Sequence, residues 1–425
     1  MVYSRVDSRF SKSFLSFFYF GSAIIGSMVG TLYKFPPLLI LLPILIFLIF
    51  KNVRLSLFIA IFIFTNLTVI NDVNINDAQF VGIVKSVQDG SSTVDLKYYD
   101  GNRWKDLGFD VRIYKEEKIG TIVYFIGELR KTNSYPRYYA KTTLYATSTN
   151  YSPVSSVYNT FESFRSFTTT VDPFYQNLFG NQTRDEHFIK SGLFHIFCVS
   201  GMHVSILYLF SYYIVSLFTY RKMMREILSL IFPTIFVVGS GMNLPSIRAL
   251  LMLLLSSLFR ITDYKINPIN TVSLVGLFMV LFNPEIVFSL SFYMTFFATI
   301  GVLSATNNLF ANIGGFLGSA PYVSLLSPVN VFSILATVLV SLPVEIIMFG
   351  LTIAYIFFIV KLYFLSLFVL YALLPFSWFI QLIAYTFSKF PLIPQHFVIT
   401  IAFSLTYIIY LALMQELQKE NSIDA

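Results

Sequence analysis

The sequence predicts an α-helical polytopic membrane protein with a small all-β domain inserted into it. Three observations carry that prediction. Of 425 residues, 56% are hydrophobic and only 12% are charged, about half the charge of an ordinary soluble domain. Apolar runs near the ~20 residues that cross a bilayer recur from end to end. One stretch, residues 71–153, departs from this pattern with short alternating segments separated by turn residues. The membrane segments number roughly 10–12 on this reading.

Residues 1–70 hold three apolar runs, Phe14–Tyr33, Pro37–Phe50 and Leu55–Ile70. The first follows Arg5, Arg9 and Lys12 and lacks a small-x-small cleavage site, so it reads as an uncleaved helix. Those bases, with Lys51 and Arg54 between runs two and three, predict a cytoplasmic N-terminus. Three crossings then deliver the β segment to the outside. Gly26 and Gly30 give the first run a spacing that permits close helix contact.

Residues 71–153 contain five strand-like runs: Phe80–Val87, Thr93–Tyr99, Phe109–Tyr114, Ile122–Leu129 and Tyr139–Ala146. Alternation is clean at Val94, Leu96, Tyr98 and at Phe109, Val111, Ile113. Asp89-Gly90, Asp100-Gly101-Asn102, Gly120 and Asn133-Ser134 supply turns. Five short strands suit a small barrel of the OB type.

Residues 154–190 read as amphipathic surface helices. Val157, Phe161, Phe164, Thr168, Val171, Tyr175 and Leu178 keep helical spacing, with Glu162, Arg165 and Asp172 interrupting. Residues 191–414 are nearly all membrane. The expected spans are Leu193–Tyr220, Ile227–Gly241, Ile247–Ile261, Val272–Leu281, Ile286–Leu309, Val323–Leu342, Ile346–Val360, Leu362–Ser388 and Phe397–Met414. Arg221, Lys222, Arg225, Arg260 and Lys265 fall on the cytoplasmic side. Residues 415–425 read as a short polar tail.

The formal net charge of +7 is in part this positive-inside bias rather than a nucleic-acid signal. One cysteine, Cys198, excludes an intrachain disulfide, and four histidines leave few parts for a metal cage.

Chemistry concentrates in Ser191-Gly192-Leu193-Phe194-His195-Ile196-Phe197-Cys198-Val199-Ser200-Gly201-Met202-His203-Val204. Ionisable groups at membrane depth are costly and normally face a polar cavity. Ser200-Gly201 can break the helix and free backbone groups to line one. His195 and His203 are eight residues apart, roughly 80° on an unbroken helix. The competing reading is a helix-packing site. A zinc site from His187, His195, Cys198 and His203 lacks a carboxylate at metalloprotease spacing. Arg248, just after Pro245, opens an apolar run and reads as a phosphate contact, a partner of Glu345 or an arginine snorkelling to the interface. Glu285 reads as a loop acid. Arg130, Lys131, Tyr135, Arg137, Tyr138 and Lys141 interleave bases with aromatics, the composition with which OB-type barrels hold single strands.

The segment from Ser191 to Val204 resembles the signature of the ComEC competence-protein family, close to S-G-L-x-H-L-L-A-I-S-G-L-H-V. Ser246-x-Arg248-Ala249 with Met252, Arg260-x-x-Asp263, and Pro284 leading to Leu290-Ser291-Phe292 and Ala298 are similar to the family as well. The resemblance covers nearly the whole chain, the β segment included. It implies a channel that transports single-stranded DNA across the bacterial inner membrane in natural transformation, with the β domain extracytoplasmic. The implied pathway residues are His195, Ser200, Gly201, His203, Arg248 and Glu345. Implied partners are single-stranded DNA, the lipid bilayer, a periplasmic DNA receptor, a cytoplasmic DNA-translocating motor, a separate nuclease and further copies of the chain. Two departures stand out. Larger family members continue into a metallo-β-lactamase-like domain, and no His-x-His-x-Asp-His cluster is present here, so this polypeptide is expected not to be an enzyme. Thr337 stands near where the family tends to carry an asparagine ahead of the proline matching Pro343. No Gly-x4-Gly-Lys-Ser/Thr loop occurs, so energy is expected from a motor or an ion gradient. No cofactor, metal ligand set or catalytic residue is expected. An ion-coupled small-solute transporter and a membrane-embedded metal-dependent enzyme are the alternatives.

Overall fold

The structure, a computed structural model, describes residues 15–36, 39, 41–69, 73, 75–88, 90–132, 135–148, 153–179, 185–197, 201–264 and 267–423. Arg5, Arg9, Lys12, Asp89, Asn133, Ser134, Cys198, Ser200 and Lys265 lie outside the described residues.

Helices α1 (Leu15–Leu32), α2 (Leu42–Phe50) and α3 (Val53–Thr68) fall where three apolar runs were expected. The glycine spacing in α1 is used for contact. A Cβ on Gly30 would sit 2.5 Å from the Asn66 carbonyl oxygen, and one on Gly26 would strike Thr65 and the Phe62 carbonyl. Asn66 then ties off the end of α1. Its side chain donates to the Tyr33 carbonyl at 3.1 Å and accepts from the Phe35 amide at 3.0 Å.

All five expected strands form: β1 (Ala78–Gln88), β2 (Ser91–Tyr99), β3 (Trp104–Ile113), β4 (Ile122–Lys131) and β5 (Tyr138–Ser148). They close into a barrel in the order β1-β2-β3-β5-β4. β1 pairs antiparallel with both β2 and β4, while β3 and β5 run parallel from Val111 opposite Tyr138. Alternation places Phe80, Val94, Leu96, Val111, Ile113, Val123, Phe125 and Tyr138 inside. The Phe80 and Phe125 rings stack at 5.0 Å. The inserted all-β domain is thus a closed five-stranded barrel.

Helices α4 (Pro153–Thr168), α5 (Pro173–Leu178) and α6 (Glu186–Lys190) follow. The apolar side of this segment was expected to face lipid. It is spent on protein instead: Phe161, Phe164, Tyr175 and Leu178 are buried in the largest apolar cluster. Arg165 is buried with them, donating to the Gly239 carbonyl at 3.1 Å.

The remaining helices are α7 (Gly201–Phe218), α8 (Lys222–Ser229), α9 (Ile231–Gly239), α10 (Leu244–Ile261), α11 (Pro268–Phe282), α12 (Leu290–Leu303), α13 (Asn308–Leu326), α14 (Ser333–Ile359), α15 (Tyr363–Ala372), α16 (Leu374–Phe387) and α17 (Phe397–Ile423). Among the described residues five helices are long and apolar enough to cross a membrane, or six if α15 and α16, bent by 41°, form one broken span. Four shorter apolar helices accompany them: Ser16–Leu32, Val53–Thr68, Pro268–Phe282 and Leu290–Leu303. The expected count of roughly 10–12 is met at its lower end when all four also cross.

Several expected spans are redrawn, among them Ile227–Gly241, which divides into α8 and α9, and Ile286–Leu309, which divides into a 3-10 turn and α12. Val323–Leu342 is no helix: the chain breaks between Leu326 and Ser333, and α14 runs unbroken through Pro343. Hydropathy hid α13 because Gly314, Gly315 and Gly318 lower its apolar content. Those glycines serve contact, since a Cβ on Gly318 would strike Phe297 and one on Gly314 would strike Gly301. The polar tail is also helical, as α17 continues to Ile423.

Candidate functional site

The His-containing segment is described on either side of residues 198–200, which lie outside the described residues. A short 3-10 turn, Phe194–Ile196, lies on the near side, and α7 is described from Gly201. Gly192 adopts φ +74, and a Cβ there would sit 2.6 Å from the Ser333 Cβ. Asn330, just before α14, donates to the Lys190 carbonyl at 2.9 Å and the Phe387 carbonyl at 3.0 Å. The loop that carries Gly192 is therefore held between α6, α14 and α16.

That loop aims the first histidine. His195 Nδ1 lies 2.9 Å from the Gly192 carbonyl, so Nδ1 carries the proton and Nε2 keeps its lone pair. His195 is exposed, whereas His203, one turn into α7, is fully buried.

The second motif meets this one. Gly241 has φ +102 and Met242 φ 52, a left-handed turn that ends α9. Asn243 caps α10, its side chain accepting from the Ser246 amide at 3.1 Å. Pro245 occupies the first turn and Arg248 the second, where Arg248 is buried. A Cβ on Gly201 would rest 3.9 Å from the Ala249 Cβ. The start of α7 and the start of α10 thus lie side by side, bringing Gly201 and Arg248 into one neighbourhood.

Glu345 is elsewhere. It is exposed on α14, and no ion pair joins it to Arg248 among the described residues. The pairing expected from sequence does not form. Ser200 lies outside the described residues. Among the described residues, no three His, Cys, Asp or Glu side chains gather as a metal ion would require.

The six β-segment residues divide. Arg130, Lys131 and Lys141 are exposed; Glu128 pairs with Arg130 at 2.9 Å and with Lys141 at 3.5 Å. Tyr138 fills the barrel interior and presents no face to a ligand. Arg137 is buried in an ion pair with Glu285. Tyr135 donates to Asp110 at 2.7 Å and accepts from Asn283 at 3.2 Å. Arg137 and Tyr135 are thus engaged in joining barrel to helices. Burial pushes the Tyr135 hydroxyl well above its ordinary range, and the Asp110 charge adds to the effect.

Sequence reading missed Tyr114 and left Tyr139, inside the same base-and-aromatic run, out of the contact set. Tyr114 is exposed, and its ring meets Tyr139 edge-on at 5.6 Å. Tyr139 sits across from Arg112 on β3 and Arg130 on β4. The period of two was the available signal: with Tyr138 inward, Tyr139 must point outward. Glu285, read as a loop acid, proves buried.

The family model described as Competence protein matches residues 180–419. An uncharacterized protein of Aquifex aeolicus (strain VF5) is 29% identical over 179 residues, covering 39% of this chain and 42% of that protein. ComE operon protein 3 of Bacillus subtilis (strain 168) is 25% identical over 146 residues, covering 34% of this chain and 19% of that protein. The match thus spans less than half the length of either relative. No solved structure matches.

Proposed function

Because this multi-pass membrane chain belongs to the Competence protein family, with a role in competence and DNA uptake, we propose that it conducts single-stranded DNA across the bacterial inner membrane. One observation carries the reading. The two motifs that resemble the family, around His195–His203 and Arg248, are 45 residues apart counted from His203, yet the contact between Gly201 and Ala249 brings them together. They would line the route along with Ser200, whereas Glu345, exposed elsewhere on α14, would stand apart from it. A lining of neutral imidazole and a single guanidinium suits a polyanion in transit, because a site that binds too firmly does not release.

On this reading the N-terminus is cytoplasmic, and the barrel stands outside and meets the strand first. Tyr114 and Tyr139 offer stacking faces, and Arg130, Lys131 and Lys141 offer charge. A receptor delivers DNA, a cytoplasmic motor or ion gradient pulls it, and any strand degradation belongs to a separate nuclease. The chain itself performs no chemistry.

Transformation frequency in a host carrying His195→Ala or His203→Ala, each checked for membrane abundance, tests the route. Loss of transformation at normal abundance, with DNA still reaching the periplasm, is the expected result. Unchanged transformation in both variants would reduce the histidines to packing. Uptake of labelled small solutes by the purified chain, with no effect on DNA, would favour the transporter alternative instead.

A further inference from the structure

The barrel meets the membrane helices across a polar seam. Arg137, on the approach to β5, and Glu285, in the 3-10 turn Pro284–Phe288 after α11, lie 3.4 Å apart from Nη1 to Oε1. Their side chains are only 6% and 5% exposed. Beside them, Asn283 donates to Asp110 at 3.0 Å, and Tyr135 donates to the same carboxylate oxygen. Lys85 reaches the other oxygen of Asp110 at 3.1 Å and Asp95 at 3.0 Å. Arg137 also lies over the Phe288 ring at 4.8 Å.

Glu285 is incompletely satisfied. Its Oε2 is closed to water and has no hydrogen-bond partner among the described residues. A buried charged oxygen without a donor is expensive, and a proton removes most of that expense. The seam also holds a cavity of about 300 Å³ lined by Lys85, Asp95, Asp106, Asp110, Asn283 and Glu285, among others.

We propose that Arg137 and Glu285 are positioning residues that hold the barrel against the membrane helices, with Glu285 acting as a proton-operated latch that grips more firmly when neutral. The groups that face it are of both signs. From the barrel come Arg137 and Lys131, which favour the charged carboxylate, and Asp110, which disfavours it. Lys85, Asp95 and Asp106 share the cavity. From the helix side, Asn283 and Pro284 add no charge.

Burial pushes the Glu285 carboxyl up to about 7 from an ordinary 4.5, with Arg137 pulling it back and Asp110 pushing it on. A barrel lifted off the helices would return Glu285 to water and to its ordinary value. The docked state therefore holds the proton more readily. Docking is firmest below the ordinary value, weakens as pH rises through the window between the two values, and changes no further above the raised one. None of this depends on what passes through the membrane.

The test uses the full chain with Cys198→Ser, in lipid nanodiscs, carrying a fluorescent pair at Leu144→Cys in the barrel and Tyr220→Cys in the helices. The urea midpoint at which energy transfer is lost is read at about pH 5.5 and about pH 8, where linkage predicts a docking constant roughly tenfold or more weaker at the higher pH. The midpoint is expected to fall with rising pH, and in Glu285→Gln to stay the same at both. Equal midpoints in the parent chain, or a persistent shift in Glu285→Gln, overturn the latch. If Glu285→Gln does not reach the membrane, the pair Arg137→Glu with Glu285→Arg is expected to restore docking lost in either single reversal. Failure to restore it also overturns the proposal. Because DNA uptake is not the readout, a negative result here leaves the transport reading standing.

Discussion

The barrel and the membrane helices spend charge in opposite ways. The barrel carries ion pairs on its surface: Lys85 with Asp95, Lys105 with Asp100, and Arg130 with Glu128. Such exposed pairs are individually worth about 0–1 kcal/mol. The helices carry few ionisable groups but bury several, among them His203, Arg165, Glu226 and Arg248. Glu226 accepts from Arg260 at 2.9 Å and from Tyr208 at 2.7 Å, a network folded against α8. The lesson is that charge density does not locate function here. The barrel holds many charges at low cost, whereas each buried group in the helices must justify a large desolvation cost.

The comparison breaks most directly if the two regions do not fold separately. Phe80→Ala would empty the barrel interior beside Phe125 at a cost of about 3–5 kcal/mol, more than a small barrel tolerates comfortably. Trypsin is expected to cut within residues 71–153 while far-UV circular dichroism retains the membrane helices. Loss of both together would make barrel and helices one cooperative unit.

Next in size is Arg248→Ala. If the buried guanidinium meets DNA phosphates, removing it deletes a charge-assisted contact of about 2–3 kcal/mol, on the order of a hundredfold in transformation frequency at normal membrane abundance. Glu345→Gln, exposed on α14, is expected to change far less. Equal losses would mean that burial does not separate the important charges from the others.

What the sequence made legible follows from how each region is built. In the barrel, one face of every strand is interior, so alternation named Val94, Leu96, Val111 and Ile113 correctly, and Gly90, Gly101 and Gly120 marked the turns by positive φ. In the helices all sides can be apolar, so hydropathy located membrane but not boundaries. Pro343 looked like a terminus and sits inside α14. The glycines of α13 fell between two expected spans and are a packing surface. The His195–Arg248 neighbourhood was named residue by residue, but the contact joining its halves is tertiary. The Arg137–Glu285 pair, 148 positions apart, left no local trace at all.

A finer test concerns the outer face of the barrel. Replacing Tyr114 or Tyr139 with Ala would remove a stacking face worth about 1–3 kcal/mol per base. Affinity of the purified chain for a single-stranded oligonucleotide should fall accordingly, with the salt dependence unchanged. Lys141→Ala should instead flatten the salt dependence by about one unit of slope. If both substitutions act only through salt, the tyrosines are not platforms.

The smallest effect is expected at Tyr135→Phe. The ring stays packed, and only the hydroxyl that donates to Asp110 and accepts from Asn283 is lost. Asp110 keeps Lys85 and the Asn283 amide, so no charge is stranded. The expected cost is about 1 kcal/mol, seen as a lower urea midpoint for barrel release. The pH dependence should survive intact, because Glu285 and Arg137 are untouched. A Tyr135→Phe chain whose midpoint no longer moved with pH would transfer the proton-sensing role to the Asp110 cluster and leave the Arg137–Glu285 pair a plain structural clasp.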